Sequence, residues 1–269
     1  MPAAGDPEGP SALTLNTMRD STSVTGTCAL CHEEKPLRKS HFIPNAVYIP
    51  KKLEFTTRKA RGVGGTHLKR WLLCTDCERR FDENGESEVL KWIAPKAKVF
   101  PLYERIRLAL PLPGYDVPKP YSGRDLAVET DKFAYFALSI LWRAAVCEWP
   151  MPDGTVTVPL ELGSYQEPMR EFLLGQTRLP VNVVVLVLVC TDETSRRAWY
   201  TPSRLAGAPF DVVGFLLRGV LFRVFFGADV PNGLRHACCT SARKCLFHIN
   251  CQEMSDRAFI SLIGSDERS

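Results

Sequence analysis

Several familiar signatures are missing from this 269-residue sequence. No uncharged apolar run approaches the roughly 18 residues of a membrane-spanning helix, and the first residues lack the apolar segment of a secretory signal peptide. No Ser-His-Asp set, phosphate-binding glycine loop or dinucleotide-binding fingerprint stands out. These absences favour a protein of the reducing cytoplasm with no membrane partner.

The composition is that of an ordinary globular protein, with 45% hydrophobic and 24% charged residues. The net charge of +4 is uneven, because residues 23–100 hold 15 Lys/Arg against 9 Asp/Glu, a balance of +6, which leaves 4 − 6 = −2 for the remainder. A nucleic-acid partner would favour the part of the chain that holds the positive excess. Ten cysteines in a reducing compartment indicate metal binding rather than disulfides.

Four of the cysteines form two Cys-x-x-Cys pairs, Cys28 with Cys31 and Cys74 with Cys77. Thiolates at positions i and i+3 of a tight turn can both point at one metal ion, and two such pairs complete the tetrahedral four-cysteine shell that suits zinc. The second pair lies where a helix is predicted to begin, which gives the knuckle, hairpin and helix order of a treble clef. The spacing therefore predicts a structural zinc site.

The segments around the cysteines add a second motif. Ser40-His41-Phe42-Ile43-Pro44 follows the first pair, and Leu72-Leu73-Cys74-Thr75-Asp76-Cys77 is followed directly by Glu78. This pattern resembles the HNH endonuclease superfamily, in its zinc-bound ββα-metal (His-Me finger) branch, over roughly residues 25–90. The resemblance implies metal-dependent hydrolysis of nucleic-acid phosphodiester bonds, with the four cysteines on structural zinc. It also implies that His41 is the general base that activates water and that Glu78 binds the catalytic metal.

Two positions depart from the family pattern. The acidic metal ligand that precedes the histidine is Ser40 here, and Glu78 replaces the usual His or Asn. A carboxylate is a good ligand for Mg²⁺ or Mn²⁺, and Glu78 and Asp82 are four residues apart, on one side of the predicted helix. Asp76, Asp82 or Glu86 could compensate for the missing acid. The alternative is that Glu78 and Asp82 are two solvated carboxylates.

Three histidines lie in this region. His41 either activates water, which suits a neutral imidazole near physiological pH, or is hydrogen-bonded within the hairpin. His32 is interpreted as an exposed bystander, because the four cysteines already fill the zinc shell. His67 could supply a substrate or metal contact.

The insertion between hairpin and helix, residues 45–70, is strongly basic and contains three glycines. A basic loop beside a metal site is well placed to hold phosphates, although a solvated charge run explains it equally well. DNA is favoured over RNA as the partner. The candidate phosphate contacts are Lys51, Lys52, Arg58, Lys59, Arg61, Lys69 and Arg70.

The whole chain is predicted to be α+β, with a treble-clef zinc module at residues 23–100 and a larger mixed α+β domain at residues 131–269. Residues 1–22 are predicted to be a disordered tail and residues 101–130 a proline-rich surface connector with a short helix. A long helix is predicted from Thr130, and a strand buried on both faces over Val183–Cys190. Ser164 and Glu167 form a predicted capping box. Further strands are predicted near residues 197–201, 212–226 and 245–250, the second interrupted by Gly219 and expected to be a hairpin or a bent strand. A final helix is predicted at 255–263.

A second group of potential metal ligands lies near the C-terminus, but its spacings fit no zinc pattern. Cys147 and Cys190, in apolar surroundings, indicate that cysteine also serves as a core residue. Arg143, in a mostly apolar helix, either forms an ion pair with the zinc module or contacts a phosphate. The second group consists of His236, Cys238, Cys239, Cys245, His248 and Cys251.

Three functions remain open. The first is a metal-dependent, HNH-like endonuclease with structural Zn²⁺ and catalytic Mg²⁺ or Mn²⁺. The second is a treble-clef module that binds nucleic acid without cleaving it. The third is a zinc-stabilised interaction or scaffold protein whose C-terminal domain binds a protein partner.

Overall fold

A computed structural model describes residues 24–48, 68–93, 99–113, 119–151, 154–190, 192–205 and 208–249. The predicted tail, most of the basic insertion including His67, and the predicted final helix lie outside the described residues. The architecture is mixed α+β, as the sequence predicts, with a small N-terminal sheet and a larger second sheet. Within the part of the chain that is described, no helix is both long and apolar enough to cross a membrane.

The N-terminal part is a three-stranded antiparallel sheet followed by a helix. Its strands are β1 (Val24–Thr27), β2 (Glu34–His41) and β3 (Lys69–Cys74), in the order β1-β2-β3, and helix α1 (Thr75–Phe81) follows β3 directly. This unit, β1 to α1, is called the zinc module below. A 3₁₀ turn at Asn45–Val47 follows β2.

The chain continues from α1 without the break that Asn84 and Gly85 predict. A π-helical turn at Asp82–Glu86 joins α1 to α2 (Ser87–Ile93). Gly85 is buried, and a Cβ on it would lie 3.1 Å from backbone atoms of Phe136. The glycine therefore allows a close helix approach here rather than ending the helix.

The predicted connector contributes regular structure. Helix α3 (Pro101–Leu108) matches the expected short helix, but β4 (Lys119–Ser122) is a strand that the proline content concealed. Strand β4 lies at the edge of the second sheet, where proline is tolerated because one side needs no ladder hydrogen bonds.

The second sheet has six strands in the order β4-β9-β5-β8-β7-β6. All neighbours are antiparallel except β5 and β9. The predicted buried strand is β5, whose eight residues are all buried, and the glycine-interrupted strand is the β7–β8 hairpin. The other strands are β6 (Trp199–Arg204), β7 (Asp211–Leu217), β8 (Val220–Phe226) and β9 (Cys245–Ile249).

Helix α4 (Thr130–Val146) is the long predicted helix, and it lies between the zinc module and the second sheet. Phe133 and Phe136 of α4 contact Phe222 of β8, while Phe81 of α1 contacts Trp142. Zinc-module residues and one face of the second sheet therefore belong to one continuous apolar core. The remaining helices are α5 (Gln166–Leu173), α6 (Glu193–Arg197) and α7 (Asn232–Ala237).

Helix α5 corrects the predicted capping box. A 3₁₀ turn at Gly163–Tyr165 precedes it, and the helix start has no side-chain cap. Glu167 instead binds Arg170, three residues later, with a shortest distance of 2.6 Å between guanidinium and carboxylate.

Candidate metal centre

The first cysteine pair lies on a turn between β1 and β2. The backbone N–H of His32 donates to the Cys28 carbonyl at 2.8 Å, and the Cys28 N–H donates to the Glu33 carbonyl at 2.9 Å. His32 takes a positive φ of 62° and is exposed, as expected of a residue that follows the first cysteine pair without binding the metal. The turn presents Cys28 and Cys31 on the same side.

The four cysteine sulfurs converge. Their Sγ atoms all lie within 4.8 Å of one another, and the Cys31 and Cys74 sulfurs are 3.9 Å apart. Four sulfurs at about 2.3 Å from a tetrahedral zinc ion would be about 3.8 Å from each other. Cys28, Cys74 and Cys77 are buried, and the Cys74 N–H donates to the Cys28 sulfur at 3.3 Å. Cys28, Cys31, Cys74 and Cys77 therefore form a structural zinc site.

The thiols influence one another's protonation. A hydrogen bond from the Cys77 thiol lowers the pKa of Cys28 to about 4. The same contact raises the pKa of Cys77 well above its ordinary value, and burial raises that of Cys31. Since only thiolates bind the metal, loading this site with zinc releases protons.

Ser40, which replaces the family's acidic residue, has a structural contact. Strands β2 and β3 change register between Arg38 and Lys39, where Leu72 is an extra residue on β3. The Leu72 carbonyl accepts a hydrogen bond from Ala29 at 3.0 Å, and the Leu73 N–H donates to the Ser40 hydroxyl at 3.2 Å. Ser40 is 1% exposed. The Ser40 hydroxyl thus accepts the hydrogen bond of the Leu73 N–H, which the bulge removes from the ladder between the strands.

His41 and Glu78 lie on adjacent elements. His41 ends β2 opposite Lys69 and is half-buried, while Glu78 is half-buried in the first turn of α1. One carboxylate oxygen of Glu78, Oε1, is inaccessible to solvent and has no hydrogen-bond partner among the described residues. A buried acceptor of this kind is costly unless something binds it.

The other acidic residues near the zinc site have partners. Asp82 is exposed and accepts a hydrogen bond from Ser87 at 2.7 Å. Asp76 contacts Lys35 and Arg79 at 3.4 and 3.3 Å. Across the described ranges, the four cysteines are the only group of three or more His, Cys, Asp or Glu whose ligand atoms all lie within 4.8 Å. The ligand atoms of His41, Glu78 and Asp82 therefore do not all lie within 4.8 Å of one another.

The basic candidates divide into two groups. Lys51, Lys52, Arg58, Lys59 and Arg61 lie outside the described residues. Lys69 and Arg70 are on β3, where the Arg70 guanidinium donates to the Glu148 carbonyl at 2.7 Å. Arg70 therefore holds the zinc module against the end of α4.

Arg143 forms an ion pair, which is the first of the two alternatives that the sequence left open. Its Nη2 lies 2.5 Å from Glu86 Oε1, and its guanidinium stacks 4.6 Å from the centre of the Phe81 ring. Arg143 is 1% exposed, so this charge is held between α4 and the chain that follows the zinc module.

Arg170 is a contact that sequence spacing could not reveal. Its Nη1 donates to the carbonyl of Leu30, inside the first knuckle, at 2.6 Å. The two residues are 140 positions apart. In the sequence, Arg170 lies three residues after Glu167, which indicates a local ion pair. This spacing does not reveal the contact of Arg170 with Leu30 beside the zinc site.

The second cysteine group does not converge in the described residues. Cys239 faces the core shared with α4, whereas Cys238 and Cys245 pack on the opposite face of the second sheet. His236 is exposed, and His248 contacts Tyr103. Adjacent residues of an extended chain point to opposite sides, which separates the two neighbouring thiols. Cys251 lies outside the described residues.

The two predicted core cysteines differ. Cys147 is a half-buried free thiol. Cys190 is buried in β5 as predicted, but it is disulfide-bonded. Disulfides are rare in reducing compartments, so the disulfide of Cys190 does not support the predicted cytoplasmic location. That location stays a prediction.

No known protein family, curated protein or solved structure matches this chain. What the described residues define is a mixed α+β protein with a four-cysteine zinc site at the start of α1.

Proposed function

We propose that this protein is a metal-dependent, HNH-like endonuclease that hydrolyses nucleic-acid phosphodiester bonds, with DNA favoured over RNA. The observation that carries the proposal is the buried Oε1 of Glu78, which has no hydrogen-bond partner among the described residues and lies one residue after the zinc ligand Cys77. That position is where the resemblance puts a ligand for the catalytic metal, and an unsatisfied carboxylate oxygen is suited to Mg²⁺ or Mn²⁺. Asp82 is a weaker second ligand, since it is exposed and bound to Ser87.

In this proposal, His41 is the general base. Its imidazole takes a proton from water while the water oxygen forms a bond to phosphorus, and the bond from phosphorus to the leaving oxygen breaks. The leaving oxygen then takes a proton from solvent. A bound Mg²⁺ or Mn²⁺ would neutralise charge that develops on the phosphate. The structural zinc would fix β2 and α1, which carry His41 and Glu78, relative to each other.

A second candidate is a treble-clef module that binds nucleic acid without cleaving it. The observation that favours it is Ser40, because the position of the family's acidic ligand here satisfies a backbone N–H instead. Both candidates place nucleic acid on the zinc module, and they differ in whether His41 and Glu78 perform chemistry.

Plasmid nicking in Mg²⁺ or Mn²⁺ distinguishes the two candidates. His41→Ala should lower the cleavage rate by about 10²–10⁴-fold, the usual contribution of a general base. His32→Asn is the matched control, because His32 is exposed on the same module and Asn tolerates its positive φ. Each variant must retain one zinc ion per chain.

Glu78→Gln provides a second readout. If Glu78 is a metal ligand, this variant should lose cleavage while becoming at least as stable as the wild type, because it removes the charge of a carboxylate whose Oε1 is buried without a hydrogen-bond partner among the described residues. Cleavage that survives His41→Ala would overturn the mechanism. Binding of DNA without cleavage in either metal would favour the non-catalytic module, and no affinity for nucleic acid would favour an interaction protein.

A further inference from the structure

A pocket lies near the start of α4, at the opposite end of this helix from Arg143. It has a volume of about 430 Å³, within the range of small-ligand sites. Two turns form its walls, one after β4 and one before β9. Its lining residues are Leu112, Pro113, Ser122, Arg124, Asp125, Ala242, Arg243 and Lys244.

The two turns are fixed relative to each other. Ser122 is paired with Cys245 in the β4–β9 ladder, and the Gly123 N–H donates to the Lys244 carbonyl at 2.8 Å. A Cβ on Gly123 would lie 2.3 Å from Thr130, so only glycine fits there. Lys244 takes a positive φ of 47°, and its ammonium contacts Asp131 at 2.5 Å. The pocket is therefore formed in advance of any ligand.

The charges in this pocket are not balanced. Arg124 and Arg243 are both exposed, and neither guanidinium forms an ion pair or hydrogen bond with a described residue. Asp125 is the one carboxylate among the described lining residues, and Lys244 is neutralised by Asp131. Two guanidinium groups without a described partner on one concave surface are suited to an anion, and guanidinium geometry matches phosphate oxygens.

One wall of the pocket is apolar. Leu112 and Pro113 lie beside the arginines, and the Leu112 N–H donates to the Pro120 carbonyl at 2.7 Å, which holds this wall against β4. A ligand with a phosphate next to a flat apolar group would use both walls. We propose that this pocket binds a phosphate-bearing nucleotide, either free or within a nucleic-acid strand.

This proposal does not depend on nuclease activity. Binding would be measured by calorimetry at low salt without divalent metal, using inorganic phosphate, thymidine 5′-monophosphate and a short oligothymidylate as probes. We expect the wild type to bind a nucleotide probe and the double variant Arg124→Ala/Arg243→Ala to bind it about tenfold more weakly or worse. Arg178→Ala is the matched control, since Arg178 is an exposed arginine away from the pocket, and it should bind as the wild type does.

Asp125→Asn supplies a result that mere structural damage would not give. Removing the carboxylate from the lining should strengthen binding several-fold, because it repels the phosphate. Binding of the monophosphate would identify a free nucleotide as the ligand, and binding of the oligonucleotide alone would identify a strand. The proposal is overturned if neither nucleotide probe binds. It is also overturned if the double variant and Arg178→Ala weaken binding equally, or if Asp125→Asn weakens it.

Discussion

Glu88 shows how one buried carboxylate can be kept charged. It is 7% exposed on α2, and its oxygens accept hydrogen bonds from Trp92 Nε1 at 2.7 Å and from Lys91 Nζ at 3.3 Å. The Glu129 N–H, at the start of α4, donates to the same carboxylate at 3.4 Å. Glu88 thereby links α2 to the N-terminus of the central helix.

The stability of the protein should depend on pH through Glu88. Burial acts to raise the pKa of this carboxyl, but the hydrogen bonds from Trp92, Glu129 and Lys91 outweigh it and hold the pKa below its ordinary value. A lowered pKa in the folded state means that the stabilisation is present above the unfolded pKa of about 4.3 and is lost as pH falls through the folded value.

Glu88→Gln should therefore lower the free energy of unfolding by about 1 kcal/mol at neutral pH and reduce its decline in acid. Urea unfolding between neutral pH and about pH 3 measures both effects. Glu83→Gln is the control, because Glu83 is exposed on the adjacent turn. An acid decline that is unchanged in Glu88→Gln would contradict the assignment.

Two elements that are distant in sequence are joined by a buried charge pair. Arg143 of α4 and Glu86 of the π-helical turn have side chains that are 2% and 16% exposed. Breaking such a pair is costly, because the remaining charge stays buried without a partner. The pair thus fixes how the π-helical turn after α1 packs against α4.

Glu86→Gln should lower the free energy of unfolding by about 3 kcal/mol, because the Arg143 guanidinium keeps its charge. Adding Arg143→Met to the same chain should cost less than the sum of the two single changes. Glu104→Gln is the matched control, since Glu104 pairs with Arg107 at 3.2 Å on the exposed side of α3 and should contribute under 1 kcal/mol. Additive single and double effects in urea unfolding would rule out the coupling.

At the scale of the whole molecule, zinc binding and folding should be coupled across both sheets. The zinc ligands Cys28, Cys74 and Cys77 belong to the same apolar core as α4 and one face of the second sheet. Loss of the ion would therefore loosen more than the zinc module itself.

Removal of zinc, by chelation or by Cys77→Ser, should lower the melting temperature of the whole chain by about 10 °C or more. Calorimetry with metal analysis tests this, and a single transition at a lower temperature is expected. Cys147→Ser changes a half-buried free thiol outside the zinc site, so it should keep zinc and melt close to the wild type. If the zinc-free protein instead showed a separate transition at the melting temperature of the wild type, the two sheets would unfold independently.

The sequence alone determined the features that depend on local spacing. Two Cys-x-x-Cys pairs predicted the zinc site because two residues on one turn can bind one ion. A valine-rich run predicted β5, and apolar periodicity predicted α4, because burial of a strand or a helix face requires those patterns. Gly219 interrupts an apolar run and so predicted a hairpin or a bent strand, and the β7–β8 hairpin turns at this residue.

Only the tertiary structure decided features that depend on residues far apart. The bulge that employs Ser40, the close approach of Gly85 to Phe136 and the contact of Arg170 with Leu30 each join separate segments. Strand β4 was hidden because proline is acceptable only once a strand is known to lie at an edge. The pocket of Arg124 and Arg243 exists because β4 and β9 are neighbours in the sheet, although more than 100 residues separate them in the chain. Local patterns fix single elements, whereas long-range packing decides which side chains meet.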